Sequence, residues 1–155
     1  MKFKIIPNEQ TPKVEKITTD NDILFVRDKK MIIKFLSFAR RQQNCIGLAA
    51  NQISLDDMRI MKRFFAIRIN HFWDIIIEPE IIEYIEMGAE QKETCLTWIG
   101  RLILAKRFYK IKVKYFNLDG YLIEKHIQGL EAQIWQHEYN HLQGIEEKFI
   151  EKDGK

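Results

Sequence analysis

The pentapeptide His137-Glu138-Tyr139-Asn140-His141 constrains this 155-residue chain more tightly than any other feature. Residues four apart on an α-helix lie on one face. Two imidazoles so spaced can grip one metal ion, and the intervening carboxylate can reach a water on that ion. The motif asks for a helix, and its neighbours supply one. Leu130, Ile134, His137 and His141 fall on one stripe at steps of four, three and four, and Gly144 stands where a helix C-cap belongs. The bland alternative is a pair of surface or capping histidines. Shuffling this composition yields such a motif in roughly one chain in a hundred. Half of the chain's four histidines fall in it, on a partly apolar stripe, which favours the metal.

Two histidines do not complete a catalytic centre, which usually has three protein ligands and an open position for water. Cys95, His126, His71 or an acidic residue could be the third, and spacing alone does not choose among them. The chain has two cysteines, Cys45 and Cys95. With no export signal in the N-terminal Met1-Lys2-Phe3-Lys4-Ile5-Ile6-Pro7, we expect a cytoplasmic setting where thiols stay reduced and available to metal. No apolar run approaches the roughly 18 residues needed to span a bilayer. A net charge of +3 spread along the chain gives no reason to expect direct nucleic-acid binding.

The remaining segments read as an α+β domain covering residues 1–155, with mixed or antiparallel strands around the HExxH-bearing helix. Residues 28–43 have helical periodicity, with Asp28 as candidate cap. Residues 45–52 read as a buried strand and turn. Residues 64–69, 75–77 and 81–87 read as separate strands, with Pro79 marking an edge or a break. Ile111, Val113 and Tyr115 alternate with lysines in a half-exposed strand. Asn117-Leu118-Asp119-Gly120 turns the chain, and residues 121–126 return as the hairpin partner. The helix carrying HExxH covers residues 130–143. The polar tail 151–155 is expected to fray.

Three stretches, in order, resemble the signature motifs of the peptide deformylase family. Ile46-Gly47-Leu48-Ala49-Ala50-Asn51-Gln52 is similar to GxGLAAxQ, Glu93-Thr94-Cys95-Leu96-Thr97 to EGCLS, and the run from Gln136 to Gly144 to QHExDHLxG. Glu78-Pro79-Glu80-Ile81 resembles an NPxI-like turn, and Arg107 a basic residue after the cysteine motif. The similarity runs roughly from Val14 to Ile150. It implies an enzyme that removes the formyl group from formyl-methionyl nascent polypeptides, using one divalent ion. Ferrous iron is the usual ion, and zinc, nickel or cobalt can substitute.

Carried over residue by residue, the resemblance makes Cys95, His137 and His141 the ligands and Glu138 the general acid/base. Gln52 and the backbone of Leu96 would bind the formyl oxygen. Gly47 would lie on the strand along which the peptide docks. Ile46, Leu130 and Ile134 would line a narrow apolar methionine pocket, and Glu93 would flank it. A metal-held water would attack the formyl carbon while Glu138 moves its proton. We expect a monomer; many members of the family carry a further C-terminal segment, and an end at Lys155, soon after the helix, suggests a compact subtype or weaker ribosome docking. Phage and organellar forms can be short in this way, and the expected setting is the cytoplasm of a bacterial or phage-infected host, or an organelle.

Some positions depart from the pattern. Cys45 stands where glycine is common, and is expected to pack or to narrow the groove. Thr94 replaces glycine and needs an ordinary backbone conformation there. Thr97 replaces serine, Trp98-Ile99 loses a rigid turn, and Asn140 removes a charge beside the ligands. Two other readings stand beside the deformylase one: a different small HExxH peptidase, which would not need Cys95, and a binding protein that has lost turnover.

Overall fold

The computed structural model describes residues 1–15 and 21–150, with side chains of 21–27 excepted; the tail expected to fray lies outside the described residues. The order is β1 (Phe3–Ile5), α1 (Asn21–Arg41), β2 (Gly47–Ala49), a 3-10 turn (Ala50–Gln52), β3 (Ile53–Leu55), β4 (Met58–Arg59), β5 (Phe64–Ile69), β6 (Phe72–Glu93), β7 (Ile103–Phe116), β8 (Leu122–Gln128) and α2 (Gly129–Gln143). A small sheet runs β1-β3-β4 and a larger one β2-β5-β6-β7-β8, and every pairing in both is antiparallel. Among the described residues, no helix is long and apolar enough to cross a membrane.

The apolar run in β5 has a simple cause. Successive strand side chains point to opposite faces, and both faces are covered. Phe64 and Ala66 pack with Ile32, Phe35 and Ala39 of α1. Phe65 and Ile67 pack with Ile134, Trp135 and Leu142 of α2. Edge-to-face contacts tie each layer: Phe35 to Phe64 at 4.9 Å and Phe65 to Trp135 at 5.2 Å. β2 alternates likewise, with Leu48 towards α1 and Ala49 towards α2. The α+β reading holds, with α2 packed against β2, β5, β7 and β8 of the larger sheet.

Three local expectations need correction. α1 begins at Asn21, so Asp28 is not its cap; it sits within the helix and pairs with Lys62 at 3.3 Å. The strands expected at 75–77 and 81–87 are parts of one 22-residue strand, β6. Its first part pairs with β5 and the rest with β7. Pro79 neither ends it nor forms a turn. Glu78 takes a left-handed φ of 51°, and the β7 register jumps from Ile77 to Glu80. That bulge accommodates the missing N–H of proline. The α2 C-cap is as read: Gly144 has φ 68°, and a Cβ there would lie 2.7 Å from the Lys13 nitrogen.

Candidate active site

The sulfur of Cys95 and one nitrogen each from His137 and His141 lie within 4.8 Å of one another, the only such group among the described residues. His141 Nε2 is 3.3 Å from Cys95 Sγ and 3.2 Å from His137 Nε2. Tetrahedral coordination at usual zinc–ligand lengths would separate nitrogens by about 3.3 Å and sulfur from nitrogen by about 3.6 Å. The donor atoms therefore already stand near the edges of such a site. His71, in the left-handed turn between β5 and β6, and His126, exposed on β8, belong to no such group.

The outer nitrogens set which nitrogen faces inward. His137 Nδ1 is 2.8 Å from Glu93 Oε1, a carboxylate that can only accept. Thr11 Oγ1 donates to the His141 carbonyl at 2.9 Å, leaving lone pairs towards His141 Nδ1 at 3.4 Å. Both rings are thus steered to carry their proton on Nδ1 and present a free Nε2 to an ion. Two imidazoles this close do not both charge. Burial lowers both, but Cys95 and Glu93 as acceptors raise His137 well above the usual range. Burial and then the His137 charge push His141 down.

Glu93 does more than flank a pocket. Arg107 grips it through two hydrogen bonds of 3.0 and 2.7 Å, and Gln133 donates to it at 3.0 Å. Burial would raise its carboxyl, but hydrogen bonds from His137 and Arg107 hold it well below the usual range. It is therefore a fixed, charge-compensated anchor for His137.

Glu138 is buried beside this cluster, with Oε1 3.9 Å from His137 Nε2 and Oε2 without a hydrogen-bond partner. Burial, reinforced by the Glu147 carboxylate, pushes its carboxyl up to about 7. Gly47 makes room for it, since a Cβ there would lie 2.7 Å from Glu138 Oε1. Gln52 is oriented by both ends of its amide. Its oxygen accepts the Ala49 N–H at 2.8 Å, and its nitrogen donates to Thr97 Oγ1 at 2.8 Å and faces Cys95 Sγ at 3.4 Å.

The departures noted in the sequence find places here. Thr97 is buried as the Gln52 partner, and Thr94 takes no left-handed conformation. Trp98 keeps the turn after Cys95: its N–H donates to the Cys95 carbonyl at 3.2 Å, and its ring meets Phe149 edge-on at 5.0 Å. Cys45 is buried and also lines the cavity; its thiol donates to the Gly47 carbonyl at 3.4 Å, and burial pushes it up to about 12. The outer partner of His141 is Thr11 rather than Asn140.

A cavity of about 550 Å³ brings together Ile46, Gly47, Glu93, Cys95, Leu96, Leu130, Ile134, His137 and Glu138. Gln52 and His141 stand behind it. The apolar lining is less closed than expected: Ile134 is buried, but Ile46 is 42% and Leu130 62% exposed. Sequence reasoning missed two residues that hold His141. They are Thr11 and Asn51, whose amide donates to the His141 carbonyl at 2.6 Å. Asn51 lay within a recognised motif, whereas nothing near Thr11 marked it.

Known proteins resemble this chain in sequence and in fold. Residues 6–149 match the family model described as polypeptide deformylase. A peptide deformylase of Thermotoga sp. (strain RQ2) is 34% identical over 100 residues, or 64% of this chain and 58% of that protein. The matched stretch thus spans under two thirds of that relative's length. The Aquifex aeolicus peptide deformylase is 30% identical over 142 residues, covering 91% of this chain and 81% of its own. The crystal structure of peptide deformylase from Thermotoga maritima superposes with a TM-score of 0.75 at 28% identity, covering 92% of each chain.

Proposed function

The chain belongs to the polypeptide deformylase family, and from that premise we propose that it hydrolyses the formyl group from formyl-methionyl peptides. One divalent ion would be held by Cys95, His137 and His141. The observation that carries this is the convergence of those three donor atoms, Cys95 and His137 in the cavity wall and His141 behind them, beside an unpartnered Glu138 oxygen. We assign ferrous iron as the working ion, with zinc, nickel or cobalt as substitutes. Such an ion supplies Lewis acidity and an acidified water.

The protein's own groups do the rest. β2 is the terminal strand of its sheet, so a peptide can add alongside Gly47 by strand pairing. Gln52, its amide fixed by Ala49 and Thr97, turns its N–H towards the Cys95 side of the site. With the Leu96 N–H it stabilises the formyl oxygen as negative charge develops. Glu138, poised near neutrality by burial, takes the proton of the attacking water and delivers it to the departing amine. The Cys95 ligand disfavours a generic HExxH peptidase, and the intact Glu138 and Gln52 disfavour a protein without turnover.

The test is anaerobic reconstitution with ferrous iron, metal analysis, and assay on formyl-Met-Ala-Ser. Near one ion per chain and release of one formate per peptide are expected. A fully loaded protein that leaves the formyl group in place would overturn the proposal.

A further inference from the structure

The wall expected to be apolar carries two primary amides. Gln91, on β6, and Gln133, on α2 one turn before His137, line the active-site cavity together with Ile46, Glu93, Leu130 and Ile134. Gln133 uses one N–H on Glu93 at 3.0 Å. Among the described residues its other N–H and its oxygen have no hydrogen bond, and neither does the Gln91 amide. Glu93 offers nothing to a ligand, because Arg107, His137 and Gln133 occupy both of its oxygens. Beyond the wall lies a second hollow of about 330 Å³, which shares Gln91, Leu130 and Gln133 with the first.

Neutral amide groups beside the aliphatic side chains of Ile46, Leu130 and Ile134 suit an unbranched side chain bearing one strong acceptor. The carboxylates in the lining are Glu93, which is fully engaged, and the proton-transfer group Glu138; with Arg107 tied to Glu93, the only Lys or Arg in the lining is Lys92, which is exposed. We propose that Gln133 and Gln91 adapt the pocket to formyl peptides whose first residue is methionine sulfoxide as well as methionine. The inference rests on the deformylase reading. Methionine sulfoxide has the same length as methionine and places its oxygen on the sulfur, where an amide N–H can meet it. The hydrolysis is unchanged: water's oxygen bonds to the formyl carbon, the C–N bond breaks, the amine takes the proton and formate leaves. The sulfoxide is not reduced.

The experiment compares kcat/KM for formyl-Met-Ala-Ser and its sulfoxide in one metal-loaded preparation, so that the active fraction cancels. Burying an unpartnered sulfoxide against an all-apolar wall would cost about ten- to a hundredfold. The wild type should favour methionine by less than tenfold. Gln133→Leu, or the more exposed Gln91→Leu, should widen the ratio at least fivefold. A wild-type preference above tenfold overturns the inference, as does a ratio that neither variant widens that far. Failure on both peptides with metal in place would instead bring down the deformylase reading on which this one stands.

Discussion

Replacing Gly47 by alanine probes how closely the docking strand approaches the proton acceptor. The new Cβ would lie 2.7 Å from Glu138 Oε1 and 3.0 Å from both Glu138 Cγ and Ile134 Cγ2. Non-bonded contacts settle at about 3.5 Å, so a retreat of about 0.8 Å is needed. Ile134 is wedged in the α2 core, so the carboxylate is the group that gives. A misplacement of about 1 Å can cost on the order of a hundredfold. We expect kcat on formyl-Met-Ala-Ser to fall by about thirty- to a hundredfold, or roughly 2–2.7 kcal/mol of barrier. Overpacking should lower stability by about 1–3 kcal/mol. Metal per chain should not change, because no ligand is touched. A kcat within threefold of wild type at full metal occupancy would refute the account of Glu138, whatever happened to Tm.

Cys95→Ala should lose most of its bound metal on gel filtration, and full retention would remove Cys95 from the ligand set. Glu138→Gln should keep the ion while turnover drops by about a hundredfold or more; a wild-type rate would mean that another group moves the proton. Arg107→Met would leave the buried Glu93 carboxylate uncompensated, for about 3–5 kcal/mol of stability, and weaken metal affinity by about ten- to a hundredfold. Denaturant unfolding and metal titration would measure these, and an unchanged midpoint would contradict the pairing. Cys45, its thiol pushed up to about 12 by burial, should resist iodoacetamide at pH 8 in the folded protein and react only on unfolding. Because the folded state holds that proton more tightly, its contribution to stability persists below the ordinary thiol value and declines as pH rises above it. Rapid labelling of native Cys45 at pH 8 would refute the burial.

The parts of the molecule legible in its sequence are those governed by local periodicity. α2 showed itself because four residues on one stripe and a terminal glycine all agree, and β5 because a strand covered on both faces is apolar from Phe64 to Ile67. The β7–β8 hairpin announced itself through alternation and the Asn117-Leu118-Asp119-Gly120 turn. β6 was misread because Pro79 and the left-handed Glu78 interrupt the alternation while the strand carries on through a bulge. Its continuation depends on β7, some thirty residues away, which no local window contains. The ligand set became legible only through the ordered motifs, since spacing left the third ligand open. Thr11 gave no signal because its role exists only once the N-terminal segment lies against α2. The two amides in the pocket wall were visible as residues, but their facing into the cavity follows from where β6 crosses α2.

The attachments of His141 bear on how the chain can fold. Its partners Thr11, Asn51 and Cys95 are 130, 90 and 46 positions away along the sequence. Contacts of such separation close large loops, whose entropy opposes them until much of the chain is in place. Helix α1 and the β5–β6 and β7–β8 hairpins involve near neighbours and can form early. The ligand cluster joins segments that none of those units contains, so it is completed late. An ion that binds only the completed cluster adds about 2.7 kcal/mol to the folded state at a hundred times its Kd. The metal would then be the last cross-link in the assembly of the chain as well as the centre of its chemistry, and starving a cell of that metal would leave more of the protein open to proteases.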